Sequence, residues 1–128
     1  MDDSAPDTSR EPAAPVDQPG AGVAKALFVR LTAQEGKGDD VDTFLRDGLE
    51  AVMEEHDTTT WYAVRFGQDD FAIFDTFPDD AGRRAHLAGK VGRALAARAP
   101  ELFASPPEIE HAQVLAYKLP GQSGQVSG

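Results

Sequence analysis

The sequence predicts an α+β domain with the element order β-α-β-β-α-β. Two observations carry that prediction. Runs rich in β-branched and aromatic residues alternate with stretches in which apolar residues recur at helical spacing. Turn signals of Gly, Asp and Pro fall between them. The 128 residues allow one ordinary domain. An apolar fraction of 41% is low for a chain folded throughout, and residues 1–22 account for much of it. They hold five acids, one Arg and four Pro without an aromatic residue, and they carry four of the chain's ten net negative charges. This segment reads as a disordered acidic leader. Residues 23–119 form the predicted domain, and residues 120–128, small and polar, a flexible tail.

The first predicted strand is Val23 to Thr32, closed by the turn Glu35-Gly36-Lys37-Gly38. Asp39 and Asp40 offer an N-cap and favourable charge for a helix start. Val41, Phe44, Leu45, Leu49, Val52 and Met53 then mark one apolar helix face, which should end near His56 and Asp57. Thr58 to Phe66 reads as the second strand, Gly67 to Asp70 as a hairpin turn, and Phe71 to Phe77 as the third strand. A second helical stretch, interrupted by Gly82, Gly89 and Gly92, runs from Pro78-Asp79-Asp80 to Ala99, with Pro100 beginning the exit. Ile109 to Lys118 is the last strand. This order is the split βαβ arrangement of the ferredoxin-like fold.

Two helices can cover only one face of a four-stranded sheet. Here both phases of the strands are apolar: Trp61 and Ala63 oppose Tyr62, Val64 and Phe66, while Phe71, Ile73 and Phe77 oppose Ala72 and Phe74. An uncovered apolar face of this size is an association site. The expectation is a homodimer, sheet against sheet.

Several function classes are excluded or disfavoured. With no cysteine there are no disulfides, thiolate nucleophiles or cysteine metal sites. The acidic balance, with a net charge of −10, argues against nucleic acid as a partner. No apolar run approaches the length of a membrane span, and the amino end lacks the pattern of a secretory signal, so a cytoplasmic protein is expected. Neither a phosphate-binding Gly loop nor a dinucleotide fingerprint is present. His56, His86 and His111 share no metal-ligand spacing. The pairs Asp39-Asp40, Asp69-Asp70 and Asp79-Asp80 fall at turns and helix starts, where capping and solvation explain them.

The stretch Thr58 to Lys90 is unusually dense in chemistry-bearing residues. Its aromatic strand Trp61-Tyr62-Ala63-Val64-Arg65, the strand end Asp75-Thr76-Phe77 and the helical Ala85-His86-Leu87 resemble the antibiotic biosynthesis monooxygenase domain family, including its quinol monooxygenase-like members. The resemblance covers residues 24–119. It implies a dimeric ferredoxin-like α+β barrel and a cofactor-independent oxidation of phenolic or quinol-type aromatics by molecular oxygen, with no metal and no other cofactor. Relatives of similar shape bind and degrade haem. The chemistry is self-consistent: once deprotonated, an electron-rich phenolate or carbanion can itself give an electron to oxygen. The protein need only bind it in a dry pocket, remove a proton and steady the anion.

By the same resemblance, His86 and Tyr62 are the catalytic candidates, with Trp61, Arg65, Asp75 and Tyr117 as candidates for substrate binding. Each has a plainer structural reading. On an ideal helical wheel His86 lies with Arg83, Lys90 and Arg93, opposite the stripe of Val91, Leu95 and Leu102, unless the glycines break the helix. Trp61 can stack on an aromatic ligand or serve as core. The hydroxyls of Tyr62 and Tyr117 can stabilise a phenolate or bridge core and water. Arg65 and Asp75, on neighbouring strands, are expected to form an ion pair, with substrate positioning as the other role. Arg83, Arg84, Lys90 and Arg93 form a basic patch on an acidic protein. One departure from the family stands out: the chain has no asparagine, the residue understood to stand beside the Trp in active members. The leading expectation is a monooxygenase-like enzyme acting on a small aromatic molecule in a pocket between sheet and helices. A non-catalytic dimeric module that holds a small molecule, or haem, is the alternative.

Overall fold

The computed structural model describes residues 22–121; all of the predicted leader but Gly22, and all but the start of the predicted tail, lie outside them. The elements follow the predicted order with one helix more: β1 (Lys25–Thr32), α1 (Gly38–Val52), β2 (Thr60–Arg65), β3 (Asp70–Phe77), α2 (Asp80–Leu87), α3 (Lys90–Leu102) and β4 (Glu108–Gln113). The sheet order is β2-β3-β1-β4, with every neighbouring pair antiparallel. This is the ferredoxin-like arrangement. No helix among the described residues is long and apolar enough to cross a membrane.

The two faces separate by strand phase. Leu27, Val29 and Leu31 of β1 pair with Asp75, Ile73 and Phe71 of β3, all buried beneath the helices. Val41 and Leu45 of α1, and Leu95 and Leu102 of α3, fill the other side of this core. Each Leu or Phe buried in this way contributes about 1.5–3 kcal/mol relative to exposure. On the opposite face Phe74, Tyr62 and Val64 remain exposed, with Phe66 beyond the end of β2. The apolar open face anticipated from the strand pattern is therefore present on the protomer. β4 is exposed along its whole length.

Four local expectations are corrected. Asp39 and Asp40 lie inside the first turn of α1 and do not cap it; the N-cap is Lys37, with no side-chain bond, so the acids act on the helix end through charge alone. Leu49 and Met53 are exposed, so the apolar stripe of α1 is core only at Val41, Leu45 and Val52. Pro100 lies within α3. The Gln34 side chain satisfies that helix end by donating to the carbonyls of Pro100 and Phe103, at 2.8 and 3.2 Å. β4 is shorter than the predicted last strand, since β1, its only neighbour, begins at Lys25 opposite Gln113.

The second helical stretch is broken into α2 and α3 at Ala88 and Gly89. Asp79 caps α2, accepting from the Gly82 amide at 2.8 Å. The chain then folds back so tightly that a Cβ on Gly92 would lie 2.3 Å from the Leu87 carbonyl oxygen. Gly92→Ala should therefore cost about 1–3 kcal/mol, whereas Gly67→Ala, with no atom within 4 Å of the added carbon, should be close to neutral. Urea midpoints of the two variants provide the comparison.

Candidate functional site

The break between α2 and α3 decides where His86 points. A continuous helix would have put it on the exposed side; instead its side chain is only 7% exposed and turns toward the sheet. Its ring packs on Phe77, with centroids 5.3 Å apart. Each ring nitrogen meets a carboxylate: Nε2 lies 3.0 Å from Asp75 Oδ2, and Nδ1 lies 2.6 Å from Glu55 Oε1. Thr58 donates its hydroxyl to the same Glu55 oxygen at 2.6 Å. Asp75 comes from the middle of β3 and is 1% exposed; Glu55 comes from the connection between α1 and β2. The three groups form a continuous chain from the interior of the sheet outward.

The outer end of this chain opens on a cleft of about 290 Å³. Glu54, Glu55, His56, Asp57, Thr58, His86 and Lys90 supply its polar lining. Glu54 and Lys90 approach to 3.7 Å at its rim. Glu55 Oε2 sits close to Gly89, where a Cβ would stand 3.2 Å from it, so the helix break also makes room for this carboxylate.

The electrostatics follow from burial and contact. Burial opposes a charged His86, but the hydrogen bonds and charges of Asp75 and Glu55 outweigh it and hold the imidazole above its ordinary value. Burial pushes the Asp75 carboxyl up, and its contact with His86 offsets that only in part. With carboxylates on both ring nitrogens, His86 is held as an imidazolium that donates from each. Axial ligation of a haem iron would require displacing one of those carboxylates.

The other candidates scatter. Trp61 is directly opposite Asp75 in the register of β2 and β3, on the helix-facing side, and packs against the main core. Its indole Nε1 is buried. Tyr62 is on the opposite face, opposite Phe74 and half exposed, so it does not join His86. Tyr117 lies beyond β4 and is also about half exposed. The ion pair expected between Arg65 and Asp75 does not form. Arg65 is opposite Phe71, at the far end of β2, where its guanidinium meets Asp42 at 3.0 Å and Asp39 at 3.3 Å. It also donates to the carbonyls of Gly67 and Gln68, fastening the hairpin to the start of α1. Arg83 is tied to the Ala26 and Ala112 carbonyls and to Asp80, so it does not belong to a free basic face.

Glu55 and Thr58 are the site residues that sequence reasoning missed. Glu54-Glu55 reads as the solvated end of a helix, and 31 positions separate Glu55 from its partner. The one available signal was that a buried His at position 86 would require acidic partners.

The titration of this cluster sets a sign for stability against pH. A folded-state His86 value above the unfolded one stabilises fully below about pH 6.5 and is lost as pH rises through the folded value. The raised Asp75 acts in the same direction, because the folded state again binds more protons. Melting temperature should therefore fall as pH rises above neutrality, and His86→Gln should flatten that slope. The same variant leaves two carboxylates facing each other and should cost about 3 kcal/mol by urea unfolding below pH 6.5.

Comparison with known proteins places this geometry. No family model matches the chain, and no curated protein does. Among solved structures, a protein of unknown function from Nitrosomonas europaea is 46% identical, covering 79% of this chain and 98% of its own, with a TM-score of 0.76. Two others share the fold at low identity, each named a "putative antibiotic biosynthesis monooxygenase". The one from Chloroflexus aurantiacus is 17% identical over 74% of this chain and 96% of its own, with a TM-score of 0.60. The one from Caulobacter crescentus is 13% identical over 75% and 93%, with a TM-score of 0.64. The chain thus belongs to one family with the Nitrosomonas europaea protein, on the ferredoxin-like fold of proteins named as antibiotic biosynthesis monooxygenases.

Proposed function

We propose that the domain is a cofactor-independent monooxygenase that deprotonates a small hydroxylated aromatic molecule and lets the resulting anion react with oxygen. The observation that supports this reading most is the Asp75–His86–Glu55 chain, which joins the sheet interior to a cleft and allows protons to exchange between them. An imidazolium fixed by two carboxylates supplies a lasting positive charge near a developing phenolate. For an anthrone-type substrate the reaction balances without a reductant. The activated CH₂ carbon loses four electrons, and oxygen gains them. One oxygen atom becomes the new carbonyl, and the other leaves as water with the two hydrogens.

A second reading, a binding module without turnover, is favoured by the same contacts read differently. Both ring nitrogens of His86 are occupied by carboxylates, and the chain has no asparagine to assist them. Oxygen uptake over a panel of anthrones and quinols separates the two. The enzyme reading expects uptake that falls about a hundredfold in His86→Gln at a temperature where that variant is folded. Binding without uptake throughout the panel would leave the module.

We propose as well that a second copy covers the open sheet face. Phe74, Tyr62, Val64 and Phe66 lie exposed on or beside that face, a concentration of apolar surface unusual for a protomer alone in water. Light scattering at micromolar concentration should report twice the chain mass, and Phe74→Glu should return it to one. A wild-type protein with the mass of one chain would remove the dimer.

A further inference from the structure

The Nδ1 side of His86 holds more hydrogen-bonding groups than one ring nitrogen can serve. Glu55 Oε1 lies 2.6 Å from Nδ1, and the Thr58 hydroxyl donates to that same oxygen at 2.6 Å. Thr58 Oγ1 itself stands 3.4 Å from Nδ1. The two carboxylates also differ in freedom. Asp75 is 1% exposed in the middle of β3, and among the described residues its Oδ1 has no partner while its Oδ2 meets Nε2. Glu55 is 20% exposed at the wall of the cleft, on the connection that leaves α1.

We infer that Glu55 and Thr58 are alternative partners of His86 Nδ1, and that loss of the Nδ1 proton exchanges the first for the second and releases the connection from α2. The inference concerns how the cleft wall is held and stands with or without turnover. An imidazolium donates from both nitrogens, so both carboxylates are served. When the Nδ1–H bond breaks, its proton leaves to solvent through the cleft and its electron pair stays on the ring. A bare nitrogen then faces a carboxylate oxygen, acceptor against acceptor. The Nε2 proton stays, because Asp75 is sealed from water and has no other donor. Glu55 can swing into the cleft and be solvated. The Thr58 hydroxyl, freed of it, turns to donate to Nδ1. Each arrangement satisfies both ring nitrogens, which is the condition for a two-state element.

The charges around the ring leave the choice to this trio. The connection also places Glu54, His56 and Asp57 on the cleft, and α3 places Lys90 there. By register, Lys25 of β1 and His111 of β4 share the helix-facing side of the sheet. On α2 itself Arg83 is tied to two backbone carbonyls and Asp80, and Arg84 is exposed. Of all these groups, Asp75 and Glu55 alone hold the imidazole above its ordinary value. Once Glu55 lets go, the ion pair left between the connection and the helices is Glu54 with Lys90, at 3.7 Å and exposed. Such a pair holds little.

Nuclear magnetic resonance of the isotope-labelled full chain, followed through the imidazole titration, reads both ends of the exchange. The neutral His86 ring should carry its proton on Nε2, and its Nδ1 should show the shift of a hydrogen-bonded acceptor. Thr58→Val should remove that hydrogen-bonded shift. The Glu54 and Glu55 amides donate to the carbonyls of Ala51 and Val52. Their protection, taken against unstructured peptide at each pH, should fall about tenfold as the ring loses its proton, the weight of one charge-assisted hydrogen bond. The amides of β3 should keep theirs. In Glu55→Gln the side-chain amide accepts from the charged ring and donates to the neutral one, so the connection should stay protected throughout. A neutral ring protonated on Nδ1 would overturn the inference, as would constant protection of the connection or a fall shared by β3. So would a fall that persists in Glu55→Gln, or an Nδ1 shift that Thr58→Val leaves unchanged.

Discussion

The structure turns on a buried imidazole held between two carboxylates. Neither Asp75, at 1% exposure, nor His86 would be stable there alone, because an isolated charge in the interior costs several kcal/mol. Their mutual contact, together with Glu55, makes the burial tolerable and ties three distant segments: the centre of β3, the end of α2 and the connection leaving α1. This arrangement in turn requires α2 to stop at Leu87. Had the helix continued, the 3.6-residue period would have carried His86 to the side away from Val91, Leu95 and Leu102. The tight fold at Ala88 and Gly89, with Gly92 pressed against the Leu87 carbonyl, is the local condition for the site.

The rest of the molecule isolates that cluster from competing charge. Among the described residues, several acids sit in the first turns of helices or at their caps, where they cap or bind arginine. Asp79 holds the start of α2. Asp39 and Asp42 take Arg65, which leaves Asp75 to His86. Arg83 spends its guanidinium on Asp80 and on one backbone carbonyl each of β1 and β4, Ala26 and Ala112, joining α2 to both strands. Among the described residues, the buried Asp75 and His86 form one ionisable cluster with Glu55, and the shifts of Asp75 and His86 come from burial and from these members alone.

The two sheet faces show how far pattern reaches. Period-two alternation in β2 and β3 assigned every side chain to its face, and Phe74, Tyr62 and Val64 are exposed as that alternation requires. It could not tell which apolar residues the helices would reach. Ala63 shares the helix-facing side with Trp61 yet is exposed. Leu49 and Met53 are exposed as well: a stripe on a helix becomes core only where another layer meets it.

Element order, strand phase, the hairpin and the identity of His86 as a residue of interest were all legible in the amino-acid sequence, since each depends on neighbours within a few positions. The glycines signalled that the second helical stretch would be interrupted, although only Gly89 falls at the break and Gly82 and Gly92 lie within α2 and α3. The partners of His86 were not legible. Glu55 and Asp75 reach it from 31 and 11 positions away, and no local pattern records which carboxylates a fold will bring together. The same holds for Arg65: adjacency of strands suggested Asp75, but register placed it opposite Phe71 and within reach of α1. Local physics chose the elements, and long-range packing chose which charges meet.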